Sequence, residues 1–542
     1  MPDSQYSRWT IATWIWVGML SVVALLTASQ YGDSWDEKLR FDAGELKLGY
    51  YQALLSGDME GAVEKAPRGD NYPGFHDLNL AILRRISPAP DFLTGNLFSA
   101  ILGILGVIGT VRLARILGGP AAGFWAGVLL TLLPAWYGHM FINPKDIPFA
   151  CGYIWALNFI FQWITSRKAP SWRIVIICGV AIGVAMASRI GGLLLICYLG
   201  LFIGLSWMLD LWNSGPNGGK DFTFKVMKAQ LPRLLTVLCI SFFILLLYWP
   251  SGQLRPFSGA GETLGKITHY DWPMPVFFEG AFISAPDLPA YYILKMFLLK
   301  VPVITLLLFA ASIGLSIMEV RKRWTRPKGR GQSGLGLFLI FFSILFPLLY
   351  VIVRDSILYN GLRHLLFVLP SICVVAGWAL CRLDKLLRDR LPRLLVPLRV
   401  AFIAALLLPF ASMIRLHPYQ YIYYNELAGG TANASRSYEL DYWGTVYKEL
   451  AEEFYAHLAE ERPAFSRPEV VVNMEHVTWL FTPFLPEETS LPITVTRSRP
   501  DDDDYYAAAT TWAADQFYEG EVIVEVTRAG ATLGVVKDRR DP

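Results

Sequence analysis

Acidic residues collect in the stretch GDSWDEKLRFDAGELKLGYY, which supplies Asp33, Asp36 and Glu37 directly after an apolar run that ends near Ala28. Three further polar groups stand in similar positions at the ends of apolar runs: YGHMFINPKD (Tyr137 to Asp146), the pair Ser188 and Arg189, and NGLRHLLFVLP (Asn360 to Pro370). Charged side chains this close to lipid are costly to keep and functional by default. A carboxylate within hydrogen-bond reach of an attacking hydroxyl or amine can take its proton, and Asp36 is the first choice for that base, with Glu37 beside it. Arg363, His364, Arg189, Lys145 and Lys300 are cations suited to neutralising a departing phosphate ester, which needs charge compensation more than a proton. His139 and Asn143 are candidate substrate contacts in the same loop. The chemistry this set suits is transfer from a lipid-linked donor whose tail stays in the bilayer while its head group meets water. One in-line displacement would invert the anomeric carbon of a transferred sugar. The polar groups sit at the rim and no inverted repeat relates the two halves. A transporter usually holds its coupling residues near the bilayer centre, so a flippase for lipid-linked sugars is the runner-up.

Each candidate also has a structural explanation. Glu37 serves equally as a charge favouring a helix N-terminus, and Asp146 as the cap of the apolar helix that follows it. Asn143 and Pro144 suit a turn. His139 suits an interfacial hydrogen bond, Arg363 and His364 suit the membrane surface, and Lys300 can snorkel from an apolar helix. Arg189, between two apolar spans beside Gly191 and Gly192, is less easily explained as a solvated charge. Asp36, Glu37, Asp146 and a histidine could also hold manganese or magnesium through oxygen ligands, but a metal is not favoured and no cofactor is expected.

The elements that must position these residues are membrane helices. The 542-residue chain is 54% hydrophobic and 17% charged, against about 25% charged in soluble proteins, and its mean hydropathy is +0.38. Apolar runs near 10–29, 93–113, 121–138, 147–165, 173–188, 192–210, 234–250, 295–318, 335–353, 365–381 and 398–414 predict about eleven crossings. The first reads as an uncleaved helix, since no clear cleavage site precedes the acids. Lys and Arg gather in one alternate set of loops: Arg112 and Arg115; Arg167, Lys168 and Arg173; Lys220 to Arg233; Arg321 to Arg330; and Arg382 to Arg399. The positive-inside rule makes that set cytoplasmic. The N-terminus then lies inside, and the acids, the NPKD loop and the C-terminal tail lie outside. Anionic lipid accounts for the basic runs, and no nucleic-acid partner is expected. The six cysteines form no CxxC pair, so neither a disulfide framework nor structural zinc is expected.

The expected organisation is an α-helical integral membrane domain over 1–414 and a small extracytoplasmic α/β domain over 415–542. Within the first, the loop 30–91 carries an amphipathic helix with Leu39, Ala43, Leu46, Tyr50 and Ala53 on one face, then a short helix from about Phe75 to Ile86. A second loop, 251–289, is rich in Pro, Gly and aromatics, as an ordered lid would be. In the tail, VYKELAEEFYAHLAEE predicts a helix, and EVVVNM, ITVTRS, GEVIVEVTRAG and TLGVVKD predict strands. The Tyr-rich YQYIYYN suits a seam between membrane core and tail. DDDD at 501–504 is expected to be a solvated loop, since it lacks the ligand spacing of a calcium loop.

Asp36–Glu37 followed by an amphipathic loop helix resembles the first external loop of the polyprenyl-phosphate-dependent glycosyltransferases of the C-type superfamily. That group includes the protein O-mannosyltransferases and the lipid A aminoarabinose transferases of family 39. The resemblance implies that Asp36 is the catalytic base. It also implies a role for Asp146, an acid before the fourth span, and donor-phosphate binding by RHLLFVLP, Arg363 to Pro370. HPYQYIYYNELAGG and YELDYWGTVYKEL look like a bacterial subgroup. Neither the aminoarabinose transferases' Glu-Lys-Pro-Pro signature nor the inserted β-trefoil of eukaryotic mannosyltransferases is present. The implied protein is a glycosyltransferase of the inner membrane taking a polyprenyl-phosphate sugar to a glycan, lipid or protein acceptor.

Overall fold

The computed structural model describes residues 2–66, 73–166, 169–214, 219–255, 265, 272–324, 331–461, 469–474, 477–486, 492–497 and 503–540. Arg167, Lys168, residues 325–330 of the basic run, much of the loop 251–289 and the acids 501 and 502 lie outside the described residues.

The chain is mostly helical. Eight described helices are long and apolar enough to cross a membrane, ten if each of two bent pairs is one span. The expected count of eleven is therefore not reached. The predicted third crossing is a broken helix, Pro120–Thr131 and Pro134–Ile142, bent by 67°. Pro134 lacks the N–H that would continue the first piece and instead starts the second. The predicted eighth is broken more sharply, Tyr292–Lys300 and Val303–Glu319 at 115°, with Pro302 in the break. The predicted fifth, Trp172–Ser188, has 17 residues, at the lower limit of length for a crossing. Around these, Asp91–Gly118, Asp146–Thr165 and Arg363–Arg390 make the buried centre of the bundle, whereas Pro392–Leu416 shows most of its surface outward.

Between the first span and Asp91 lie three helices, Trp35–Leu55, the short Met59–Lys65 and Phe75–Ile86, and the first and last pack on each other. The first buries Ala43, Gly44, Lys47, Tyr50 and Ala53. Leu39 and Leu46, expected on that same face, are 58% and 47% exposed. They are seven residues apart, two helical turns, and form an apolar stripe pointing away from the protein. Small residues face inward because Phe75–Ile86 comes close: a Cβ on Gly44 would lie 2.3 Å from the carbonyl oxygen of Asp77.

The tail carries the amphipathic helix Tyr447–Glu461 and a five-stranded sheet. A hairpin, β1 (Val276–Phe278) and β2 (Ala281–Ile283), precedes it in the chain. The sheet strands are β3 (Val470–Met474), β4 (Ile493–Arg497), β5 (Tyr505–Ala509), β6 (Glu521–Arg528) and β7 (Ala531–Asp538), in the order β4-β3-β5-β7-β6. Pairing is parallel on one side of β5 and antiparallel on the other. Between span and sheet, Tyr419, Tyr421, Tyr423 and Tyr424 are almost wholly buried in the core that joins them.

Candidate active site

Asp36 lies in the first turn of Trp35–Leu55, whose N-cap is Ser34. Ser34 and Glu37 form a capping box: Glu37 Oε2 accepts from the Ser34 backbone N–H at 2.5 Å while Ser34 caps the N3 position. The Ser34 hydroxyl also donates to the Ile142 carbonyl at 2.8 Å, tying this helix to the NPKD turn. Glu37 thus has a structural task that Asp36 lacks, and Asp36 is left pointing at the cations.

In the NPKD turn, Asn143 Oδ1 accepts from the backbone N–H groups of Lys145 and Asp146 at 3.2 and 2.8 Å, the local bond that makes Asn a turn residue. This places Lys145 and Asp146 side by side at the start of the next span. Arg363 opens a 3-10 turn after Asn360 and Gly361, whose φ values of 57° and 64° reverse the chain. Arg189 caps Trp172–Ser188 in extended conformation.

Five predicted residues meet in one chain of charges. Asp36 Oδ2 is 2.8 Å from Lys145 Nζ and 3.2 Å from Arg363 Nη2. Arg363 Nε is 3.7 Å from Asp146 Oδ2, and Asp146 Oδ1 is 2.5 Å from Arg189 Nη1. Side-chain exposure is 16% at Asp36, 6% at Arg363, 2% at Asp146 and 16% at Arg189, so the middle of the chain is buried and both of its ends are partly open. Burial alone would raise the Asp36 pKa, but Lys145 and then Arg363 outweigh it and hold the carboxyl well below the usual carboxylate range. Burial and then the neighbouring Asp33 push the Glu37 pKa well upward.

The remaining predicted residues lie beside this chain. Asn143 Nδ2 donates to Asp146 Oδ2 at 2.9 Å and lies 3.0 Å from His139 Nδ1. The other ring nitrogen of His139 lies 3.0 Å from the Tyr442 hydroxyl. Asn143 therefore braces Asp146, and His139, itself buried, links Asn143 to Tyr442. Lys300 is buried outside the charge chain: its ammonium donates to the Tyr421 carbonyl at 3.3 Å and sits 4.1 Å from the Tyr424 ring. His364 packs edge-on against Tyr359 at 4.5 Å.

The sequence left several partners unnamed. The segment 438–446 crosses the site as a strap. Trp443 lies 4.6 Å under the Arg363 guanidinium and accepts from the Trp35 N–H through its carbonyl at 3.2 Å. Tyr359 flanks Arg363 at 5.4 Å and stacks on Trp272 at 4.0 Å. Beyond Asp36, Asp77 is paired with Arg40 at 3.2 Å and with the buried Lys47 at 3.1 Å, and the Arg40 charge also acts on Asp36. Asp77 and Lys47 are thirty residues apart, and only the fold of the loop joins them. Among the described residues no group of three or more His, Cys, Asp or Glu side chains converges as a metal site.

Residues 80–213 match the family model described as dolichyl-phosphate-mannose-protein mannosyltransferase. No curated protein matches the sequence. The fold is shared with ArnT from Cupriavidus metallidurans in the apo state, at 14% identity and a TM-score of 0.50, over 98% of each chain. The family model covers only part of the chain, and the likeness to this structure is one of fold. Other similar structures include ArnT from the same organism bound to undecaprenyl phosphate (14% identity, TM-score 0.48, 98% of each chain). The archaeal oligosaccharyltransferase AglB from Archaeoglobus fulgidus, in complex with an inhibitory peptide and a dolichol-phosphate, is 15% identical. It covers 86% of this chain and 62% of its own, at a TM-score of 0.45.

Proposed function

We propose that this protein transfers a sugar from a polyprenyl-phosphate donor to an acceptor at the extracytoplasmic face of the inner membrane, in one inverting displacement with Asp36 as base. The observation that carries the proposal is Asp36 clasped between Lys145 and Arg363 at the N-terminus of a helix outside the spans.

The charges favour a phosphate. Lys145, Arg363, Arg189, Arg40 and Lys47 face the carboxylates of Asp36, Asp146 and Asp77, five cations against three anions. The surplus of two exceeds the single charge of the donor's phosphodiester and matches the polyprenyl phosphate released, a monoester that carries about −1.5 to −2 at neutral pH, so the cations favour the leaving group. Held by two cations, Asp36 is a weak base in the free protein. Arrival of the donor corrects this: its phosphate shares Lys145 and Arg363, their hold on Asp36 weakens, and the Asp36 pKa climbs toward a useful value. The acceptor oxygen then attacks the anomeric carbon and its proton passes to Asp36. The carbon–oxygen bond to phosphate breaks, and polyprenyl phosphate leaves with the electron pair against the same cations. Asp146 holds Arg363 and Arg189 in place. The reading assigns no metal and no covalent intermediate.

The side of the membrane is supported by the opposite ends of the helices Asp91–Gly118 and Trp172–Ser188, which carry Arg112, Arg115 and Arg173. The exposed stripe of Leu39 and Leu46 suits a helix lying along the outer interface. Purified protein incubated with labelled polyprenyl-phosphate sugars and envelope extract tests the proposal. Labelled acceptor should form with the wild type, and a wild type that leaves every donor intact contradicts it.

A further inference from the structure

We propose that the cleft between the β1–β2 hairpin and the turn Thr511–Gln516 binds the sugar end of a glycan chain, which serves as the acceptor. The proposal rests on the sugar-transfer reading above and names its acceptor.

The cleft holds about 680 Å³, within the range of small-ligand pockets, about 300–1,000 Å³. Its walls carry the aromatic faces of Phe277, Phe282, Tyr438 and Trp512, interleaved with Asn433 and Gln516. Sugars present apolar C–H faces between rims of hydroxyls. Flat rings beside amides match that pattern, whereas an acyl chain would need no amides. Asn433 and Gln516 are exposed and Phe282 is 47% exposed, so a visitor can reach them, although the Asn433 amide N–H already donates to the Ala428 carbonyl at 2.8 Å.

Trp512 connects this cleft to the charge chain. Its indole meets that of Trp35 edge-on at 5.4 Å, and Trp35 directly precedes Asp36. The indole N–H donates to the Pro275 carbonyl at 3.0 Å, which fixes the ring between hairpin and turn. Thr511 donates to the Asp441 carbonyl at 2.7 Å, so the turn is also pinned to the strap whose next two residues, Tyr442 and Trp443, line the catalytic side. Trp512 and Ala513 both lie in the left-handed region, at φ of 58° and 55°. Residues with side chains avoid that region, and such conformations gather at ligand sites where the surroundings hold them. Nothing in the transfer step itself requires that turn, whereas an aromatic platform beside Asp36 does.

The test is saturation-transfer NMR of the full-length protein in nanodiscs. The probes are maltopentaose, cellopentaose, chitopentaose and oligosaccharides released from the producing cell's envelope by mild acid. Saturable binding of at least one sugar is expected. Trp512→Ala should weaken it at least about tenfold, and the exposed double change Asn433→Ala with Gln516→Ala about fivefold. Trp512→Phe should restore most of it. Asp36→Asn should bind the sugar within about twofold of wild type, so glycan binding is read even if no transfer is ever seen. The proposal is overturned if no sugar binds, or if only peptides or acyl lipids bind. It is equally overturned if a folded double variant and Trp512→Ala both bind sugar like the wild type.

Discussion

Replacing Asp36 by Asn should separate donor binding from transfer. A positioned base contributes about 10²–10⁴-fold, or roughly 3–5 kcal/mol of barrier, and transfer should fall by that factor. Donor phosphate should bind no worse. Asp36 now competes for Lys145 at 2.8 Å and Arg363 at 3.2 Å. Two unit charges 4 Å apart interact by about 4 kcal/mol at an effective dielectric of 20. Rehydration and the retained amide dipole leave about a quarter of that, about 1 kcal/mol, or about fivefold tighter binding of polyprenyl phosphate. Stability should drop by about 2 kcal/mol, less than the ~3–5 kcal/mol for an abandoned buried charge, since the amide oxygen still accepts hydrogen bonds. The Asp36 pKa is lowered in the folded protein, so its ion pairs stabilise fully above the unfolded value near 4. That contribution is lost as pH falls below it, and the stability gap between wild type and variant should close in acid. Native mass spectrometry with undecaprenyl phosphate, initial rates of transfer and thermal unfolding against pH read the three quantities. A folded variant that transfers within threefold of wild type, or one that loses phosphate binding along with transfer, refutes the assignment.

Three further outcomes are expected. Glu37→Ala should cost about 1 kcal/mol of thermal stability through the lost capping box while leaving transfer within a fewfold of wild type; a loss as large as that of Asp36→Asn would make Glu37 the base. Asp146→Asn should release Arg363 and Arg189 and weaken polyprenyl-phosphate binding about tenfold, seen by the same mass spectrometry, and unchanged affinity would remove Asp146 from the donor site. Glu439, raised to about 8 chiefly by burial, is protonated at neutral pH. Its raised value means that stability is lost as pH climbs from the unfolded range through about 8, so Glu439→Gln should flatten the alkaline fall in melting temperature, and a parallel fall in both proteins contradicts that assignment.

Much of the site was legible because charge beside an apolar run is expensive and therefore conspicuous. Asp36, Lys145, Asp146, Arg189 and Arg363 all stood out on that ground, and all five meet. The capping box was legible too, since Ser34-x-x-Glu37 has its spacing. Other features were hidden. Tyr442 reaches His139 across 303 residues, a pairing only the tail's return over the helices creates. Strand β5, Tyr505–Ala509, ends in three alanines, which favour strands poorly, and it forms because neighbours on both sides complete its ladder. The two broken helices read as single spans because hydropathy averages over a proline kink. Leu39 and Leu46 matched the helical period of Ala43 and Tyr50, but period alone cannot say which side faces protein and which faces out.

The most direct measurement is the stoichiometry and anomeric configuration of the product, read by NMR after transfer from a polyprenyl-phosphate sugar of known anomer. One polyprenyl phosphate released per sugar transferred, with the opposite anomer in the product, is the predicted result. A retained anomer, or donor carried intact across the bilayer with no sugar transferred, would contradict a single displacement assisted by Asp36.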